Sequence, residues 1–140
     1  MMLRNLKIQN SETWAVTFSS DSKLLAAGGK DKLVHVWTTD KFTETAVLEP
    51  GLGAITALAF DPSGKYLFSA GRNGRIVVWD AATFKRLASL ESSSKAVFAL
   101  SFSPNERYIA AAYNDGIRIW RNGSFDMVKN LYTGTEVFSV

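Results

Sequence analysis

Phe60-Asp61-Pro62-Ser63-Gly64-Lys65-Tyr66-Leu67-Phe68-Ser69-Ala70-Gly71-Arg72-Asn73-Gly74-Arg75-Ile76-Val77-Val78-Trp79-Asp80 is the stretch on which the reading of this chain turns. A Phe ends one apolar segment, and a polar turn follows in which Pro62 presets φ and Gly64 tolerates positive φ. Leu67–Ala70 is a second segment, whose small residues Ser69 and Ala70 let one sheet pack closely on the next. Asn73-Gly74 then signals a tight hairpin, because a type I′ turn needs positive φ at both central residues. Arg75–Trp79 alternates as a strand and ends on a tryptophan.

The same grammar recurs on both sides. Phe18, Phe60 and Phe102 lie 42 residues apart, and Trp79 follows Trp37 by 42 and precedes Trp120 by 41. The third b–c turn, at Asp115-Gly116, is one residue shorter than those at Asp31-Lys32 and Asn73-Gly74, which accounts for the difference. Each unit resolves into four short strands. Strand a is Trp14–Phe18, Ile55–Phe60 or Val97–Phe102, rich in β-branched and aromatic residues. Strand b is Leu25–Gly28, Leu67–Ala70 or Ile109–Ala112, and strand c is Leu33–Trp37, Arg75–Trp79 or Ile117–Trp120. Strand d is the weaker outer one: Glu44–Leu48, Arg86–Leu90 or Asp126–Leu131. No segment carries a helical period.

Composition narrows the classes. The 140 residues are 46% hydrophobic and 21% charged, as expected of an ordinary globular domain with a core. The chain has no cysteine, which excludes disulfides and thiolate metal sites. No apolar run approaches the ~20 residues of a membrane span, and Met1–Lys7 lacks the apolar stretch of a secretory signal. An intracellular setting, cytoplasmic or nuclear, is therefore expected. The net charge of +3 is slight for a nucleic-acid binder. The sequon Asn122-Gly123-Ser124 is read as a plain turn.

Four short strands at a period near 42 match the blade of a β-propeller. A β-sandwich also has many short strands, but it does not repeat Phe and Trp at matched intervals. At these residues the chain resembles the WD40 repeat family, most closely in Ile55–Leu90, which contains the family's namesake pair Trp79-Asp80. The other units show Trp37-Thr38 and Trp120-Arg121 there. The resemblance implies a buried hydrogen-bond chain in each blade, running from a strand-c Trp through a strand-b hydroxyl and a b–c turn Asp to a His before strand a. Trp37, Trp79 and Trp120 match the Trp, Asp31, Asn73 and Asp115 fall at the Asp, and only Ser69 supplies the hydroxyl. The His is missing throughout, so the polar chain is expected to be incomplete in every blade and stability to rest on apolar packing.

The expected fold is all-β: a partial, open propeller of three four-stranded antiparallel blades, with an N-terminal strand d and a C-terminal strand a fragment. Residues 1–12 form that outer strand and its connecting loop, 13–53, 54–94 and 95–134 the three blades, and 135–140 the start of a further strand a. Closed rings of this family have about seven blades, so three leave two apolar faces without neighbours. The chain is expected to be a piece of a larger propeller, or else to self-associate through those faces.

Chemistry is sparse. His35 is the single histidine, aligned with Val77 and Arg118, and is read as a tolerant strand-face position. Asp21, Asp31, Asp61 and Asp115 recur with turns and are read as turn chemistry. No catalytic group, cofactor or metal is expected. Family resemblance implies instead a surface for a protein or peptide, with no membrane role. One candidate set is the b–c and d–a loop rim, with Lys30, Lys32, Arg72, Arg75 and Lys95. Another is the slot at the start of strand a, held by Trp14, Phe98 and Phe138, with Thr56 in the same register. Aromatic and Arg side chains on an accessible face are the usual anchors of recognition; packing between blades as core is the competing reading. The alternatives are nucleic-acid binding through the basic rim and a truncated segment with no independent function.

Overall fold

The computed structural model describes residues 5, 6, 8, 11–51, 53–90 and 95–132. Twelve strands fill them: β1 Thr13–Phe18, β2 Leu24–Gly29, β3 Val34–Thr38, β4 Glu44–Leu48, β5 Ile55–Phe60, β6 Tyr66–Gly71, β7 Ile76–Asp80, β8 Arg86–Leu90, β9 Val97–Phe102, β10 Tyr108–Tyr113, β11 Gly116–Arg121 and β12 Met127–Tyr132. They form three four-stranded sheets, β1-β2-β3-β4, β5-β6-β7-β8 and β9-β10-β11-β12, with every pair antiparallel. This is the open three-bladed architecture expected of the repeat. The b strands run a residue further at each end than their sequence segments. The expected N-terminal strand d lies largely, and the C-terminal strand a fragment, residues 135–140, wholly outside the described residues.

Register explains the period. Phe18 pairs with Leu25 and Leu25 with Trp37; Phe60, Leu67 and Trp79 repeat that row, as do Phe102, Ile109 and Trp120. Residues directly opposite one another share a face of the sheet, so each blade presents one Phe–aliphatic–Trp row to its neighbour. The rows of the second and third sheets are buried that way. Phe60, Leu67, Val77 and Trp79 pack on Val34, Val36 and Leu48 of the first sheet, and Ile109, Tyr113 and Trp120 on Phe68, Ile76, Val78 and Leu90 of the second.

The innermost strands approach most closely, β1 against β5 and β5 against β9. Small residues in β2 permit it: a Cβ on Gly28 would come within 2.9 Å of Cβ and Cγ2 of Ile55. Phe42, Phe84 and Phe125, one in each c–d turn, all have positive φ (52°, 59° and 62°). Phe125 reaches back to the preceding sheet, its ring edge-on to Tyr66 at 5.3 Å and to Phe68 at 6.0 Å. That contact holds a bulky residue in a conformation it otherwise avoids.

The b–c turns differ from the expected type I′. Only the second central residue, Lys32 (φ 72°), Gly74 (φ 85°) or Gly116 (φ 145°), has positive φ, while Asp31, Asn73 and Asp115 do not. Asn73 instead accepts a hydrogen bond from the Arg75 N–H through Oδ1 at 3.0 Å, and Asp31 does the same for Leu33 at 3.1 Å. A side-chain acceptor two residues back thus shapes the turn.

Candidate partner-binding surface

At the head of each innermost strand the ladder slips by one residue. Thr13 pairs with Gly29 and Ala15 with Gly28, which leaves Trp14 between them unpaired. Thr56 is skipped in the same way between Ile55 and Ala57, and Phe98 between Val97 and Ala99. A bulge of this kind re-aims the extra side chain out of the alternation. It turns two large aromatics to solvent: Trp14 is 41% and Phe98 56% exposed. Neither is enclosed between the described blades. Phe138, the third aromatic of this slot, lies outside the described residues.

Arg72 joins them from the b–c turn. Its N–H donates to the Ala54 carbonyl at 3.1 Å, holding the turn against the start of β5, and its guanidinium carbon lies 5.4 Å from the centre of the Trp14 ring. Such a cation–π contact stabilises by about 0.5–1 kcal/mol at an exposed site. Trp14, Thr56, Arg72, Ala96 and Phe98 line one open concavity of about 550 Å³. The Thr56 hydroxyl donates to the Val97 carbonyl and so ties β5 to β9 beneath it. The Trp14 indole N–H donates to Glu12 Oε1 at 3.3 Å, and Glu12 Oε2 is 3.7 Å from Lys30 Nζ.

The basic rim does not gather around the concavity. Lys30 faces a neighbouring hollow with Ser11, Glu12 and Asp31. Lys32, Arg75 and Lys95 are exposed nearby and do not line the Trp14 concavity. Of the predicted set, the structure brings together Trp14, Phe98 and Arg72.

The buried polar positions need a larger correction. In the second sheet the Trp79 indole donates to Ser69 Oγ at 2.9 Å, both buried, as the repeat pattern implies. In the first, His35 is a semi-buried strand-face residue, as expected, but not an indifferent one: its side chain is 13% exposed, with Nε2 2.7 Å from Asp31 and Nδ1 3.0 Å from Glu44. Both ring nitrogens face carboxylates, the pattern of an imidazolium donating twice. Burial pulls the His35 pKa down, but the hydrogen bonds and charges of Asp31 and Glu44 outweigh it and hold the pKa above the ordinary imidazole value. In the third sheet Arg118, 1% exposed, takes the same slot. It donates to both Asp115 oxygens, at 2.5 and 3.2 Å, and lies 4.4 Å from the Tyr113 ring centre. Those hydrogen bonds hold the Asp115 carboxyl below its usual range. A strand-c cation thus grips the turn Asp in two blades, a contact outside the Trp–hydroxyl–Asp–His chain that the resemblance implies. The signal was present as Asp31/His35 and Asp115/Arg118, one strand-c cation a few residues after each turn acid.

Asn122 of the sequon is likewise structural. Its amide donates to Asp61 Oδ1 at 2.8 Å and to the Glu106 carbonyl at 3.1 Å, joining the third sheet's c–d turn to the second sheet's a–b turn. Among the described residues no group of three or more His, Cys, Asp or Glu could hold a metal ion.

Comparison with known proteins agrees with this repeat. The family model "WD domain, G-beta repeat" matches residues 3–38, 43–80 and 84–121. The second and third matches each begin on or next to an outer strand, β4 or β8, and end with strand c of the following sheet, so one sequence repeat straddles two sheets. No curated protein matches the chain. Among solved structures, the one described as "Structure of U3-55K" superposes with a TM-score of 0.75 at 23% identity, over 85% of this chain and 37% of that one. Likeness at that identity speaks to the fold alone, and the chain spans well under half of that relative. Three consecutive matches over most of the length, each ending one residue past the strand-c tryptophan of its sheet, place the chain in the WD40 repeat family.

Proposed function

We propose that the chain is a non-catalytic interaction scaffold that binds a peptide or protein segment at the head of its innermost strands. The observation that carries this reading is the pair of bulged aromatics, Trp14 and Phe98, standing half-exposed around one concavity with Arg72. Exposed aromatic area forgoes the burial that stabilises a fold, about 25 cal/mol per Å², and a cluster of it beside an Arg has the composition of a binding hot spot. The rigid β-sheets behind it hold the three side chains at fixed spacing, which lowers the entropy cost of docking.

Two further features favour a protein partner over catalysis or nucleic acid. The single histidine is spent on Asp31 and Glu44. Acids interrupt the basic rim, with Glu12 beside Lys30 and Asp31 in the same hollow, which disfavours a phosphate backbone as the partner.

Selection of a displayed random-peptide library on the whole chain tests this. Trp14→Ala and Phe98→Ala should each lower the retention of enriched peptides at least tenfold, with the melting temperature within a few degrees of wild type. Enriched peptides indifferent to both substitutions would place recognition elsewhere.

A further inference from the structure

Resting on that reading of the concavity, we infer that its occupant is a peptide segment carrying a carboxylate side chain next to an apolar one. The cations at this end of the molecule differ in what they already hold. Lys30 lies beside Glu12, and Arg118 is bound by Asp115. Arg72 alone lines the concavity, and among the described residues no carboxylate lies within ion-pairing distance of it.

Its posture matters as much as its charge. The guanidinium sits over the Trp14 ring, which restricts a long side chain that in solution samples many rotamers. An Arg ordered before binding loses less entropy per hydrogen bond formed. Among the described residues that guanidinium donates no hydrogen bond, so its N–H donors remain for an acceptor. A planar carboxylate matches those donors in pairs, while the flanking apolar side chain meets Trp14 and Phe98.

One guanidinium balances one carboxylate charge. A phosphate dianion would keep a charge uncompensated here, because Arg72 is the one cation among the residues that line the concavity. The carboxylate is therefore the assigned source of the anion.

Three probes distinguish the outcomes: acetyl-Leu-Glu-Leu-amide, its Gln counterpart and its phosphoserine counterpart, titrated onto the whole chain while the Trp14 indole N–H resonance is followed. The Glu peptide should bind roughly fivefold tighter than the Gln peptide at low salt, with the gap narrowing as salt rises. Arg72→Gln should abolish the gap, and Lys41→Gln, on a c–d turn at the opposite end of the sheets, should keep it. Equal binding of Glu and Gln peptides would overturn the carboxylate assignment while sparing the peptide-binding reading. A phosphoserine peptide that binds tighter than the Glu peptide would overturn it too. Failure of all three to perturb Trp14 would overturn both.

Discussion

Phe18 and Phe60 hold the same place in consecutive sheets, each paired with a leucine that is paired in turn with a tryptophan. Yet Phe60 is 7% exposed and Phe18 61%. Val16, two residues before Phe18 on the same strand face, is exposed as well. The difference is the neighbour: the first sheet packs on the Phe60 row, and no described sheet packs on the Phe18 row. Each repeat encodes an apolar surface, and only an adjacent blade turns that surface into core. The largest expected effect follows. Phe60→Ala should cost about 3–5 kcal/mol in denaturant unfolding, and Phe18→Ala less than about 1 kcal/mol. Equal losses would break the comparison, since they would mean the Phe18 face is covered in solution.

The second contrast is polar. His35, Val77 and Arg118 occupy equivalent strand-c positions, and the turn residues they answer to are Asp31, Asn73 and Asp115. Where the turn carries an acid, strand c carries a cation; where the turn carries Asn73, strand c is aliphatic and Val77 is buried. Breaking one buried partner leaves the other uncompensated, whereas replacing both can be nearly neutral. Arg118→Val should therefore cost about 2–3 kcal/mol, on the low side for a buried pair because the Asp115 side chain is 29% exposed. The double substitution Arg118→Val with Asp115→Asn rewrites the third blade in the grammar of the second. It should recover at least about 1 kcal/mol of that loss in a double-mutant cycle. No recovery would mean that Arg118 acts mainly through Tyr113.

The first blade differs from the third in that its cation titrates. The folded-state pKa of His35 is raised above its unfolded value. Its contribution is therefore fully present below the unfolded imidazole pKa, about 6.5, and is lost as pH rises through the folded value. The wild-type melting temperature should fall across that window by more than that of His35→Gln, which carries no titrating group at the position. The third blade's pair should be silent there, because Arg118 stays charged and the Asp115 carboxyl is held below its usual range. Parallel pH profiles for wild type and His35→Gln would show that the imidazolium clamp does not contribute.

These contrasts mark what the sequence could carry. Spacing of Phe and Trp gave the sheets, their strand order and the row that each presents, because burial at period two and at period 42 leaves a direct trace in residue type. The aromatics Trp14 and Phe98 were legible as a shared slot, but the bulge that turns them outward was not, since it is a slip in pairing between residues far apart in sequence. Arg72 was legible only as a rim cation. Its place over Trp14 depends on the Ala54 carbonyl that anchors its turn. The strand-c clamps were missed because alignment compared each position with its repeats, and Val77 between His35 and Arg118 made the slot look indifferent.

The smallest effect concerns the a–b turns, where the three blades share a backbone conformation without sharing a residue. Ser22, Gly64 and Glu106 are equivalent, and all have positive φ, at 64°, 82° and 64°. A non-glycine residue in this region carries a penalty of about 1 kcal/mol or more. Glycine avoids it and forfeits part of the gain through its freer unfolded chain, about 0.5–1 kcal/mol. Glu106 is exposed, and the group it contributes to the neighbouring turn is its backbone carbonyl, which accepts from Asn122. Ser22 likewise accepts from Thr39 through its carbonyl. Neither change to glycine removes such a contact, so Ser22→Gly and Glu106→Gly should each raise stability by roughly 0.5 kcal/mol, and Gly64→Ala should lower it by about 1 kcal/mol. The two signs together test whether the turn or the side chain sets stability there: a loss on Glu106→Gly would mean its carboxylate contributes something that the turn geometry does not.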